Sequence, residues 1–208
     1  MTAYHVGSYW GTSYSGIAWR SGLVYSYLDM DSERNIQVPG LTSRAQADYH
    51  AQLFQGFAEG SHRFAFNDSL SVEPYGNLSY AWLDLAGGQE HGSAAALRWE
   101  RQRSGAGYST LGLRGEARWS SLSPVRLYAD AGYQRRLTPD RNQTRLSFVQ
   151  GGDAYTIHSA TDDRDALLVR AGVTLAIKSN ATLLLGYQGL VSDKMSENSA
   201  KMQFGLTF

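Results

Sequence analysis

The stretch Ser199-Ala200-Lys201-Met202-Gln203-Phe204-Gly205-Leu206-Thr207-Phe208 decides how the rest of the chain is read. Taken in steps of two, Ala200, Met202, Phe204, Leu206 and Phe208 form an apolar row. Lys201, Gln203, Gly205 and Thr207 form a small or polar one. Period two with one oily face and one wet face is a β-strand. A soluble sandwich would bury the oily row in a core. A barrel in a bilayer would turn it to lipid and give the other row to a water-filled lumen.

Working back from this stretch, eight further segments alternate in the same way. Tyr4–Tyr14 sets Tyr4, Val6, Ser8 and Trp10 against His5, Gly7, Tyr9 and Gly11. Ile17–Leu28 sets Trp19, Leu23, Tyr25 and Tyr27 against Arg20, Gly22 and Ser26. In Ala45–Ala58 the apolar row reads Tyr49, Ala51, Leu53 and Phe57, with Phe54 and Gln55 out of place. Leu70–Trp82 opposes Leu70, Val72, Leu78, Tyr80 and Trp82 to Ser71, Glu73, Tyr75, Asn77 and Ser79. Tyr108–Trp119 and Leu127–Arg136 follow, with Arg114, Glu116, Arg118, Asp130 and Arg136 on their polar rows. Leu167 to Ile177 is the cleanest oily row, opposed by Arg170, Gly172 and Thr174, and Leu183 to Val191 precedes the terminal strand.

Composition agrees with an all-β chain. Glycine (22) and tyrosine (13) are abundant, proline (4) is scarce, and five tryptophans add to the aromatic load. Glycines and aromatics spread over short alternating segments fit a barrel. Nineteen basic against nineteen acidic side chains leave no net field for nucleic acid. Cysteine is absent, which excludes disulfides and cysteine metal sites. No stretch approaches the roughly eighteen apolar residues of a membrane helix, and residues 1–4 lack the basic start of a signal peptide.

The connections alternate in length. They are short near residues 15, 67, 122 and 179, and long over Asp29–Arg44, Leu83–Gly107, Leu137–Asp165 and Ser192–Asn198. An up-and-down outer-membrane barrel does this, with short turns in the periplasm and long loops outside. A Greek-key sandwich has no reason to gather its long loops at one end. The polar rows carry Arg114, Glu116, Arg118, Asp130, Arg136 and Arg170, charges of both signs that suit a wet lumen and would be costly in lipid. The expectation is therefore a transmembrane antiparallel β-barrel. Nine strands is an odd number, whereas a bacterial single-chain barrel closes on an even one. At least one strand is expected to be missing at the N-terminal end.

Several stretches resemble the C-terminal translocator domain of autotransporters, the type V secretion proteins. They are Gly22-Leu-Val-Tyr-Ser-Tyr27, Ala47-Asp-Tyr-His-Ala-Gln52, Val72-Glu-Pro-Tyr-Gly-Asn-Leu-Ser-Tyr80, Tyr108-Ser-Thr-Leu-Gly-Leu-Arg114 and Phe204-Gly-Leu-Thr-Phe208. Their order and spacing cover nearly the whole of 1–208. The resemblance implies a twelve-stranded barrel threaded by a linker helix, of which the nine strands here are similar to the fourth to twelfth. It also implies a Gram-negative outer-membrane location, with long loops extracellular and the C-terminus periplasmic. The implied role is non-enzymatic export and anchoring of an upstream passenger. The implied partners are outer-membrane lipid, the barrel-assembly machinery and the chain's own passenger and linker helix. Phe204, Leu206 and Phe208 match the family's signal for barrel assembly.

Other chemistry has little support in the residues. The five histidines show no metal-ligand spacing, and no Gly-x-Ser-x-Gly elbow or phosphate loop occurs. The acidic runs Asp162-Asp163-Arg164-Asp165 and Asp29, Asp31, Glu33 read as solvated loops, not as a metal site. No cofactor is expected. Two rival readings are a passive porin-like or adhesive outer-membrane barrel and a soluble all-β binding domain.

Overall fold

The alternating rows become strands because each presents one uniform face to each side of a sheet. The computed structural model describes residues 1–119, 124–139, 143–158, 163–178 and 180–206. Its strands, in chain order, are β1 (Thr2–Tyr14), β2 (Ile17–Val38), β3 (Leu41–His62), β4 (Phe64–Ala65), β5 (Leu70–Leu85), β6 (Gly88–Gln89), β7 (Leu97–Trp99), β8 (Gln102–Trp119), β9 (Val125–Arg136), β10 (Gln143–Phe148), β11 (Tyr155–His158), β12 (Asp165–Lys178), β13 (Ala181–Ser192) and β14 (Ser196–Leu206). The main sheet has the order β1-β2-β3-β5-β8-β9-β12-β13-β14, with the short β4 beside β5. Every neighbour is antiparallel and next along the meander, so the nine expected strands are all present in up-and-down order.

Turn chemistry sets the register. Ser15 and Gly16 have φ of 52° and 80°, the two left-handed residues of a tight hairpin between β1 and β2. At the β3–β5 connection, the Asn67 side-chain oxygen accepts from the backbone N–H groups of Ser69 and Leu70, both at 2.8 Å.

The sheet curves into part of a barrel, and its two faces invert the pattern of a soluble protein. On the concave face, side chains meet across strands that are not neighbours: Arg20 on β2 reaches Glu73 on β5, and Glu59 on β3 reaches Arg114 on β8. The buried residues there are polar, among them Ser26, Glu59, Ser71, Thr110 and Asp130. On the convex face, large apolar side chains stand exposed: Leu111 is 70% exposed and Leu78 59%. The buried apolar residues are mostly small alanines, so the described sheet has no oily interior. In water, each exposed leucine forgoes about 1.5–3 kcal/mol of burial. This rules against the soluble binding-domain reading.

Two sequence readings need correction. In β3 the expected apolar row is inverted. The register pairs Arg20 with Glu59 and Gly22 with Phe57, so Ala51, Leu53, Phe57 and Glu59 share the concave face. Phe54, paired with Tyr25 and Trp82, lies on the convex face with Gly56 and Ala58. The misplaced Phe54 was therefore the correct marker. Gly22 explains why Phe57 turns inward, since a Cβ there would lie 2.5 Å from its ring.

The long links are also less irregular than expected. β2 and β3 form one hairpin of 22 residues per arm, turning at Gly40 with φ of 85°. A tilted bilayer crossing uses only about 9–11 residues, so roughly half the hairpin stands beyond it. There one side is polar, the other buries Ile36, Ala45 and Ala47 beside the Arg34–Glu90 contact, and no oily row marks the strand. The loops after β5 and β9 contribute β6, β7, β10 and β11, a second sheet of order β11-β10-β7-β6. This sheet joins the hairpin through reciprocal backbone bonds between Gln46 and His91, at 2.8 and 2.9 Å. The turn near 122, residue 179 of the next turn, Asp162 and residues 207–208 lie outside the described residues.

Candidate functional site: the charged concave face

Strand pairing puts the charged residues in rows across the sheet. Glu73, Arg114 and Asp130 are successive cross-strand partners, and Asp130 is in turn opposite Arg170. Arg114 occupies the middle. Its terminal nitrogens donate to the two carboxylate oxygens of Glu59, each at 2.7 Å, and one also reaches Glu73 at 3.3 Å. Its Nε lies 3.5 Å from Asp130, and its guanidinium sits 3.8 Å above the centre of the Tyr75 ring. Arg20 donates to Glu59 at 2.8 Å and to Glu73 at 3.0 Å. Arg170 lies 3.3 Å from Asp130, which also accepts from the Tyr75 hydroxyl at 2.8 Å.

This network joins β2, β3, β5, β8, β9 and β12 into one balanced set of three arginines and three carboxylates. Bidentate arginine–carboxylate geometry is the strong form of such pairs, and it satisfies groups that burial would otherwise penalise. The aromatic rings beside it rest on glycines. A Cβ at Gly112 would lie 2.5 Å from Tyr75, and one at Gly172 would lie 2.3 Å from Tyr128. Glycine is required at these positions because a ring lies across the strand.

The expected site residues separate into groups. Arg114, Asp130 and Arg170 meet in the central network. Glu116 and Arg118 lie nearer the short-connection end: Arg118 hydrogen-bonds Glu116, and Arg126 and Arg63 approach the same carboxylate at 3.3 and 3.8 Å. Arg136 is buried at the other end of the face, opposite Tyr108, and its backbone N–H donates to the Arg164 carbonyl at 2.7 Å. Phe204 and Leu206 are exposed on the convex face, opposite Leu183 and Ala181, and Phe208 lies outside the described residues.

The sequence reading missed Glu59, which holds two arginines. The expected strand Ala45–Ala58 stops one residue before Glu59, and the row that carries Glu59 faces the concave side instead of the expected convex one. Arg20, Glu73 and Tyr75 were on polar rows but were not singled out, because nothing in the sequence shows which distant strands they will face.

Comparison with known proteins agrees with this architecture. Residues 1–188 match the family model described as the autotransporter β-domain. Two proteins from Serratia marcescens, each named an extracellular serine protease, are 32% identical over 206 and 205 residues. These alignments cover 99% and 98% of this chain and 19% of each relative. The chain thus spans about a fifth of the length of the curated relatives it matches. Among solved structures, the translocator domain of the autotransporter NalP from Neisseria meningitidis superposes with a TM-score of 0.72 at 17% identity. It covers 99% of this chain and 67% of that one, a likeness of fold. With the family model matched across most of its length, the chain belongs to the autotransporter β-domain family.

Proposed function

We propose that this chain is the membrane-embedded translocator of a self-exporting protein. In this reading it anchors a passenger joined upstream and mediates that passenger's export without itself being an enzyme. Domains of this family serve as outer-membrane translocators. The observation that carries the finer reading is the inverted sheet, with Leu78, Leu111 and Leu113 exposed on the convex side and Glu59 and Asp130 buried on the concave side. Lipid against the convex side recovers the burial that water cannot supply. Charges on the wet concave side escape the roughly 2–4 kcal/mol that a lipid-facing arginine or lysine costs at the bilayer midplane.

Closure follows from the same physics. β1 and β14 end the described sheet, and an open backbone edge is not tolerated in hydrocarbon. Further strands upstream of β1 would close the ring, making residues 1–208 the later part of a twelve-stranded barrel, with the linker helix in its lumen. The short connections would face the periplasm, and the β2–β3 hairpin with the second sheet would stand outside the cell. Phe204, Leu206 and Phe208 would be read by the barrel-assembly machinery.

The test uses the full-length protein in a Gram-negative host. Leu111→Asp on the convex face is expected to abolish heat-modifiable migration of the barrel and protease-accessible passenger on intact cells. Thr110→Ser on the concave face is expected to preserve both. Undiminished surface passenger in Leu111→Asp would overturn the reading.

A further inference from the structure

The concave face is not evenly balanced along its length. The central network matches three arginines to three carboxylates. At the short-connection end, Arg63, Arg118 and Arg126 share the single carboxylate of Glu116 among the described residues. Three separate parts of the chain bring these arginines together: Arg63 follows β3, Arg118 is next to last in β8 and Arg126 is second in β9. Arg118 and Arg126 are direct cross-strand partners, a like-charge arrangement that the shared Glu116 carboxylate offsets only in part. The connection between β8 and β9, Ser120-Ser121-Leu122-Ser123-Pro124, contains no acidic residue to relieve the excess. Each of the three side chains remains about half exposed, so part of each five-donor guanidinium is open to solvent. A cavity of about 260 Å³ touches this cluster only through Arg63 and Glu116 and otherwise belongs to the central network, with Glu73, Arg114, Asp130 and Arg170 in its lining.

We propose that Arg63, Arg118 and Arg126 form an anion-binding station at the short-connection mouth of the concave face, and that it takes a dianionic oxyanion of the phosphate type. Three guanidiniums less one carboxylate leave two positive charges, which a dianion neutralises. Planar guanidiniums present paired donors to the oxygens of such a group. The register turns Arg118 and Arg126 to the same side as Asp130 and away from the apolar convex face, which favours an ion arriving through water over a headgroup arriving from the bilayer.

The experiment is calorimetric titration of the full-length protein in non-ionic detergent with inorganic phosphate, and separately with a short-chain lipid bearing a phosphate headgroup. One saturable phosphate site per chain is expected. Arg118→Gln/Arg126→Gln should weaken it at least about tenfold, the loss of a charge-assisted hydrogen bond or more. Arg118→Lys/Arg126→Lys should restore part of the affinity, and Arg34→Gln, on the outer part of β2, should leave it unchanged. Heat-modifiable migration verifies that each variant is folded. Binding of the headgroup lipid but not of free phosphate would overturn the aqueous source. Phosphate binding that is absent, or equal in the glutamine variant, would overturn the site. So would binding of a polyglutamate peptide through these arginines with no phosphate site, which would make the ligand an acidic polypeptide.

Discussion

Glu59 accepts both terminal nitrogens of Arg114 at 2.7 Å across the intervening strand β5. A flat sheet would hold these two side chains too far apart, so the contact records the curvature of the barrel wall. It also fixes a relationship between β3 and β8 that their backbones, each paired to β5, set only indirectly.

Glu59→Ala should therefore be among the costliest concave-face changes. It leaves Arg20 and Arg114 short of a partner in a confined site, and breaking such a pair costs about 3–5 kcal/mol. The measurement is the denaturant midpoint of the barrel in detergent. Replacing Glu59 and Arg114 together by Leu and Met is expected to cost less than Glu59→Ala alone. Additive losses would mean that the two residues do not act as a pair.

Tyr128 lies across two neighbouring strands, close enough that a Cβ would fall 2.3 Å from it at Gly172 and 3.0 Å at Gly186. Gly172→Val should displace the ring and destabilise the sheet by about 1–3 kcal/mol, the usual cost of overpacking. The companion variant Gly172→Val/Tyr128→Ala removes the clash and should recover part of the loss. Thermal unfolding of the heat-modifiable species reads both.

How much of this was legible in the sequence depends on whether a strand has two different environments. Leu167 to Ile177 alternates cleanly because one row faces apolar surroundings and the other a wet concavity, and its strand appeared where expected. Asp29 to Gln37 has no oily row, since one side of this outer arm of β2 carries Asp29, Asp31, Glu33, Asn35 and Gln37 and the other mixes Met30 and the buried Ile36 with Ser32 and Arg34. For this reason the sequence alone makes that arm look like a loop. Phe57 shows a second limit. Polarity alone gives it to the apolar row, yet Gly22 opposite opens a place for its ring on the concave side. The charged rows of β8 and β9 were visible, but the partnership of Arg114 with Glu59 needed the curvature that only the folded sheet provides.

Acid should loosen the outer sheet before the barrel. Arg34 donates to Glu90 at 3.0 and 2.5 Å, and the Leu97 N–H adds a bond at 2.8 Å. Hydrogen bonding from Arg34 holds the Glu90 carboxyl below its ordinary value of 4.5, against the opposing effect of burial. A lowered value means that the stabilisation is complete above that ordinary value and is lost as pH falls through the lowered one. Proteolysis of the connection containing β6 and β7 should accelerate in the wild type only once the pH falls below the ordinary carboxylate value. In Glu90→Gln it should already be fast at neutral pH. A protease-resistant loop in that variant would assign the tether to other contacts.

Phe204 and Leu206 stand exposed on β14, where they contribute little to packing within the sheet. If they act as an assembly signal together with Phe208, Phe204→Ser/Phe208→Ser should lower the amount of barrel reaching the outer membrane several-fold. The stability of barrel refolded in detergent should change by less than about 1 kcal/mol. Fractionation of cells and denaturant unfolding of refolded protein separate the two effects. Equal losses in both would reduce these side chains to ordinary packing.

The central claim is that lipid touches the convex face and water the concave one, and collision-based accessibility of nitroxide labels in the reconstituted full-length protein measures it directly. Labels at Val169 and Leu185, on the convex rows of β12 and β13, should collide with oxygen dissolved in the acyl chains and not with a water-soluble nickel chelate. Labels at Arg170 and Gln188, which are cross-strand partners on the concave side, should do the reverse. Nickel accessibility at Val169 and Leu185 equal to that at Arg170 and Gln188 would contradict a lipid-facing convex surface and the translocator reading built on it.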